Sequence, residues 1–77
     1  MEIKVFASIK EKIGSDTIDL FVGDSITVGE LKNHIFVDYP ELDGEVFQVA
    51  KNESFVKDDE VVTSDDTVAL IPPVSGG

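Results

Sequence analysis

The chain contains no cysteine, no tryptophan, no arginine and a single histidine in 77 residues. Without cysteine there is no disulfide framework, no thiolate metal site and no cysteine nucleophile, which favours a cytoplasmic setting over an extracellular one. Positive charge is scarce as well: six lysines stand against sixteen acidic residues, a net charge of −10. Nucleic-acid binding rests on cations that neutralise phosphates, so a nucleic-acid partner is excluded. Long apolar runs are missing too. The longest, Val68-Ala69-Leu70-Ile71, cannot span a bilayer, and Met1-Glu2-Ile3-Lys4 lacks the apolar core of a secretion signal. No membrane association is expected.

What is present suits a small globular domain. Hydrophobic residues make up 42% and charged residues 29%, unlike a disordered acidic tail. A chain of this length is one domain and buries only about 60% of its unfolded surface, so an apolar residue left outside calls for a reason.

Residues 3–9 alternate, with Ile3, Val5, Ala7 and Ile9 on one face and Lys4, Phe6 and Ser8 on the other, which predicts a first strand. Gly14-Ser15-Asp16 reads as a turn, and Ile18, Leu20 and Val22 then predict a second strand closing a hairpin. Thr27-Val28-Gly29-Glu30 fits a capping box, with Ile26 and Leu31 at the staple positions. A helix is expected from Thr27 to about Asp38, its stripe formed by Val28, Leu31 and Ile35 and its end set by Pro40. After a loop over 40–44, residues 45–51 predict a third strand, 54–57 a short one, and 67–71 a last one, with an acidic connection over 58–66. This order points to an α+β fold, a β-grasp arrangement in which one main helix covers one face of a mixed sheet. Its first and last strands would pair in parallel at the centre, so that Phe6 and Ile71 emerge on the face away from the helix. The domain is expected over 1–71 and a flexible tail over 72–77.

Catalytic apparatus is nearly absent. His34 has no Ser or Asp at triad spacing and reads as a structural or surface residue. The carboxylates of residues 58–66 match no Ca²⁺ loop and read as a solvated acidic segment, with docking of a basic partner as the functional alternative. No metal site is expected. The informative segment is the end, Pro72-Pro73-Val74-Ser75-Gly76-Gly77. Two prolines cannot continue a strand ladder, and two glycines have no side chain to anchor them, so the tail should project by about 20 Å. A Gly-Gly ending arises by chance in about one sequence in 200, and many termini simply fray. Its physical use is specific, because a chain end without Cβ atoms can thread a narrow channel and present its carboxylate.

The ending Ile71-Pro72-Pro73-Val74-Ser75-Gly76-Gly77, preceded by Asp66-Thr67-Val68-Ala69-Leu70, resembles that of the small, sulfur-carrier subunits of molybdopterin synthase, a ubiquitin-like β-grasp family. Phe6-Ala7, Gly14, Thr27-Val28, Tyr39-Pro40-Glu41-Leu42 and Asn52 fall where that family places similar residues, so the resemblance runs the whole length. Two positions depart from it. Ser64-Asp65-Asp66-Thr67 replaces the usual Asp-Gly-Asp-Glu, and Lys51 stands where an apolar residue is common.

The resemblance implies a carrier with no tightly bound cofactor. An E1-like adenylating enzyme would use ATP to join Gly77 to AMP, and a sulfur donor would convert the adenylate to a thiocarboxylate. Pro72, Pro73, Val74, Ser75 and Gly76 would insert into the large synthase subunit, which holds the catalytic side chains and passes the sulfur to cyclic pyranopterin monophosphate. A heterotetramer of two small and two large subunits is the implied assembly. Phe6, Ile71 and Phe55 are the expected partner-binding residues, as an exposed apolar patch beside the tail. The sulfur carrier of thiamin biosynthesis shares the Gly-Gly end without the usual Pro-Pro-Val-Ser, and a ubiquitin-like modifier or an inert binding module are the remaining alternatives.

Overall fold

Alternation accounts for the centre of the sheet. In the structure, a computed structural model that describes residues 1–73, β1 (Glu2–Val5) buries Ile3 and Val5 and turns Glu2 and Lys4 outward. β1 pairs antiparallel with β2 (Thr17–Asp19) and parallel with β7 (Val68–Ile71). On the far side of β7 lies β4 (Gln48–Lys51), antiparallel to it and hairpinned to β5 (Ser54–Val56), giving the order β2-β1-β7-β4-β5. The mixed sheet with its parallel central pair is the one expected.

The expected strand over 3–9 is corrected. It ends at Val5, and α1 (Ala7–Ile13) follows at once. Ile9 joins Ile3 and Val5 in the core, but from a helix, with Ile13 one turn later packed against the same core, while Ala7, read on that same face, is exposed. The glycine read as a hairpin turn is the helix C-cap: Gly14 adopts φ 77° and its N–H donates to the Lys10 carbonyl at 2.8 Å. Apolar residues four apart, at positions 5, 9 and 13, satisfy both periods, and the C-cap glycine with Lys10 and Lys12 in the last turn decides for the helix.

The main helix, α2 (Val28–Asp38), begins where its capping box places it. The Thr27 Oγ1 accepts the Glu30 N–H at 3.3 Å, and its hydroxyl donates to Glu30 Oε1 at 2.9 Å. Val28, Leu31 and Ile35 are buried. Tyr39 ends the helix, and Pro40–Leu42 form a single 3-10 turn, where a loop was expected, that drops Leu42 into the core. β3 (Ser25–Thr27) and β6 (Val61–Thr63) form a separate antiparallel ribbon that the acidic connection concealed, and Val62 is buried. Ile3, Val5, Ile18, Leu20, Val28, Leu31, Ile35, Val68 and Leu70 are all buried between sheet and helix.

Candidate functional site

The strand register lays one row of residues across the outer face of the sheet. Lys4 on β1 faces Ala69 on β7, Ala69 faces Ala50 on β4, and Ala50 faces Phe55 on β5. Two alanines in the middle of the row keep the floor low. At either end the long side chains of Lys4 and Phe55 stand up from it. Phe6, just past the end of β1, and Ile71, the last residue of β7, close the tail side, while Thr67 and Glu53 border the other. The result is a concavity of about 360 Å³ lined by these eight residues. Phe6 is 45% and Phe55 60% exposed, in a chain that can spare little apolar surface. The structure thus brings Phe6, Phe55 and Ile71 to one place on the face away from α2.

Hydrogen bonds fix the groove's borders. The β4–β5 hairpin turns through Asn52 and Glu53, both at positive φ (51° and 71°), the backbone a two-residue hairpin requires. Asn52 then ties that turn to the start of β7: its Oδ1 accepts the Thr67 N–H at 2.9 Å, and its Nδ2 donates to Asp66 Oδ1 at 2.9 Å. Asp66 Oδ2 accepts the Thr63 N–H at 2.8 Å and the Thr63 hydroxyl at 3.2 Å. These bonds, that from Asn52 first, hold the Asp66 carboxyl below its ordinary value. The departure at 64–67 is therefore a turn closed by a carboxylate side chain.

Lys51, the other departure, sends its ammonium to Glu60 Oε2 at 3.0 Å and the Val61 carbonyl at 2.9 Å, joining β4 to β6. The bond to Glu60 raises its pKa against the opposing cost of burial. The acidic connection is likewise engaged structurally. Asp58 pairs with Lys32 at 2.8 Å, and the backbone carbonyls of Glu60 and Asp58 accept the Val28 and Gly29 N–H groups at 2.8 and 2.9 Å. It caps α2, so it is more than the solvated segment expected. His34 lies exposed on α2. Among the described residues no cluster of His, Cys, Asp or Glu could hold a metal ion, and no helix is long and apolar enough to cross a membrane.

β7 leads straight out of the groove. Pro72 is half-buried and Pro73 exposed, and neither has an N–H with which to continue the ladder. Val74, Ser75, Gly76 and Gly77, the other expected tail and transfer residues, lie outside the described residues. Sequence reasoning missed Lys4, Ala50, Glu53, Thr67 and Ala69 as groove residues. The shared parity of Lys4 and Phe6 was a usable signal, whereas the alanine floor depends on pairings between distant segments.

A mixed sheet with a parallel central pair, crossed by one long helix, defines a β-grasp domain, here with an apolar outer groove at the exit of its last strand. The sequence model of the ThiS family matches residues 3–77, and the chain belongs to that family of β-grasp sulfur carriers. It is 37% identical to the molybdopterin synthase sulfur carrier subunit of Dictyostelium discoideum, over 99% of this chain and 94% of that one. It is 33% identical to small archaeal modifier protein 1 of Haloferax volcanii, over the whole of both chains. The crystal structure of that modifier superposes with a TM-score of 0.80 over 99% of this chain and 97% of that one. A chain of the Helicobacter pylori complex of molybdopterin-converting factor subunits 1 and 2 shares the fold, at 24% identity and a TM-score of 0.68, over 99% of this chain and 96% of that one.

Proposed function

We propose that this chain is the sulfur-carrier subunit of a molybdopterin synthase. The observation that carries the reading is that β7 both floors the apolar groove, through Ala69 and Ile71, and leads directly into Pro72-Pro73. A partner seated on the groove therefore fixes the point from which the tail departs. Phe6, Phe55 and Ile71 serve as the docking residues, and Pro72 to Gly76 carry Gly77 into the partner.

The chemistry takes place at the Gly77 carboxylate. An E1-like enzyme transfers AMP from ATP to it and releases pyrophosphate. A sulfur donor then displaces AMP and leaves a thiocarboxylate. Within the large subunit that sulfur passes to cyclic pyranopterin monophosphate, building the dithiolene. The carrier contributes no catalytic side chain, and two small and two large subunits form the assembly. A carrier of net charge −10 suits a basic tail-binding channel.

The test is ATP-dependent loading followed by mass. The native chain should gain the mass of one sulfur replacing one oxygen and then support pterin conversion. One residue added after Gly77 displaces the carboxylate by about 3.5 Å, well beyond the misplacement of about 1 Å that can cost 10²-fold in rate. It should abolish conversion while leaving the melting temperature unchanged. An extended chain that still converts the pterin would refute the role of Gly77. The likeness to small archaeal modifier protein 1 favours a second reading, isopeptide conjugation. Lysine conjugates of the chain in cells, with no pterin conversion, would establish that one.

A further inference from the structure

Charge on the outer face of the sheet is arranged with one inversion. Lys4 is the only cation among the residues lining the groove, and Glu53 the only anion. Lys4 also borders a second concavity with Glu2, Asp65 and Asp66, yet it makes no ion pair within 4.0 Å among the described residues. Lys12, Lys32 and Lys51 are each paired to a carboxylate, and of the three lysines without such a pair among the described residues, Lys4, Lys10 and Lys57, only Lys4 lines the groove. Its cross-strand neighbours, Thr17 and Ala69, are uncharged, so nothing on either adjacent strand answers its charge at that level of the sheet. An unpaired ammonium at the end of an apolar row is costly to cover unless the covering surface brings an acceptor.

We propose that the groove accepts a composite anchor: an apolar side chain of the large synthase subunit over Ala50 and Ala69, next to a carboxylate of that subunit paired with Lys4. This deepens the docking role of the groove given above and rests on it. The consequence is a local reversal within an otherwise acidic-to-basic encounter. Long-range attraction brings the −10 chain to a basic partner, and the single pair of opposite sense at Lys4 fixes orientation, because a rotated or slipped complex would place Lys4 against apolar or basic surface. Row geometry supports a register function. Lys4 and Phe55 lie three strand spacings apart, about 14 Å, so the charged and aromatic ends of the row are read by separate parts of one partner surface.

The sign of one substitution tests this. Lys4→Glu changes the net charge from −10 to −12, so simple attraction to a basic partner makes it bind more tightly, whereas a carboxylate opposite residue 4 makes it bind more weakly. Binding to the purified large subunit from the same organism would be measured by calorimetry, beside Phe6→Ser and Lys4→Met. The last removes the charge and keeps most of the apolar stem. The expected result is a loss of at least about tenfold for Lys4→Glu and a few-fold for Lys4→Met, with melting temperatures near that of the native chain because residue 4 is exposed. Lys4→Glu binding equally or more tightly while Phe6→Ser weakens overturns the charge inference alone. Both variants binding like the native chain overturns the groove as the docking site. Lys4→Glu weakening while Phe6→Ser does not would keep the carboxylate contact and remove the apolar anchor.

Discussion

Replacing the two aromatic walls of the groove gives the most quantitative test of docking. A phenylalanine offers about 200 Å² of surface. With 45% of Phe6 and 60% of Phe55 exposed in the free chain, a partner that covers both removes about 90 and 120 Å² from water. At about 25 cal/mol per Å², that corresponds to about 2 kcal/mol for Phe6 and 3 kcal/mol for Phe55. These are ceilings, since both rings must be fully covered to reach them. Phe6→Ser should then weaken binding to the large subunit by up to about 40-fold and Phe55→Ser by up to about 150-fold. Neither ring is needed to fill the core cluster, so melting temperatures should move by only a few degrees. Calorimetric titration of each variant, paired with a thermal melt, separates affinity from folding. Two folded variants that bind within twofold of the native chain would show that the exposed rings are incidental surface.

Leu31 is fully buried beneath the sheet, and Leu31→Ala should cost about 2 to 5 kcal/mol in chemical denaturation. For a chain of 77 residues each kcal/mol shifts the melting temperature by about 6 °C, so an unchanged melt would refute the packing of α2 described above. Asp66 titrates below its ordinary value in the folded chain, so its contribution is present above the usual carboxylate range and is lost as pH falls through the folded value. Asp66→Asn should accordingly melt below the native chain at pH 7, by a gap that narrows as pH falls below the usual carboxylate range and through the lowered folded value; a constant gap would mean that the carboxylate's charge plays no part in closing the turn.

The parts of the fold legible in the sequence are those in which local and long-range demands agree. Ile3 and Val5 alternate and are buried, Thr27 and Glu30 cap the helix they announce, and Val68 and Leu70 turn inward on the central strand. Where the two diverge the sequence is ambiguous. Ile9 suits either period, and the left-handed Gly14, with Lys10 and Lys12 in the turn before it, shows that the chain coils rather than runs straight. β6 has three residues inside an acidic stretch, and its existence depends on β3, which lies some thirty-five positions earlier. Local pattern cannot express that pairing.

The site divides along the same line. Phe6 and Ile71 could be placed on one face because parity and a parallel central pair fix them once the strand order is known. The rest of the groove is a property of register: Ala50 and Ala69 are unremarkable residues until β4 and β7 bring them side by side, and only then does their small size become a floor. Lys4 illustrates the step from pattern to chemistry. In the sequence it is the polar member of an alternating pair, as any exposed strand lysine would be. In the structure it is the groove's single cation and, unlike Lys12, Lys32 and Lys51, has no carboxylate partner among the described residues, a trait it shares only with Lys10 and Lys57, which lie outside the groove. Its position relative to charge, rather than its identity, makes it informative, and that relation exists only after five strands have been set in order.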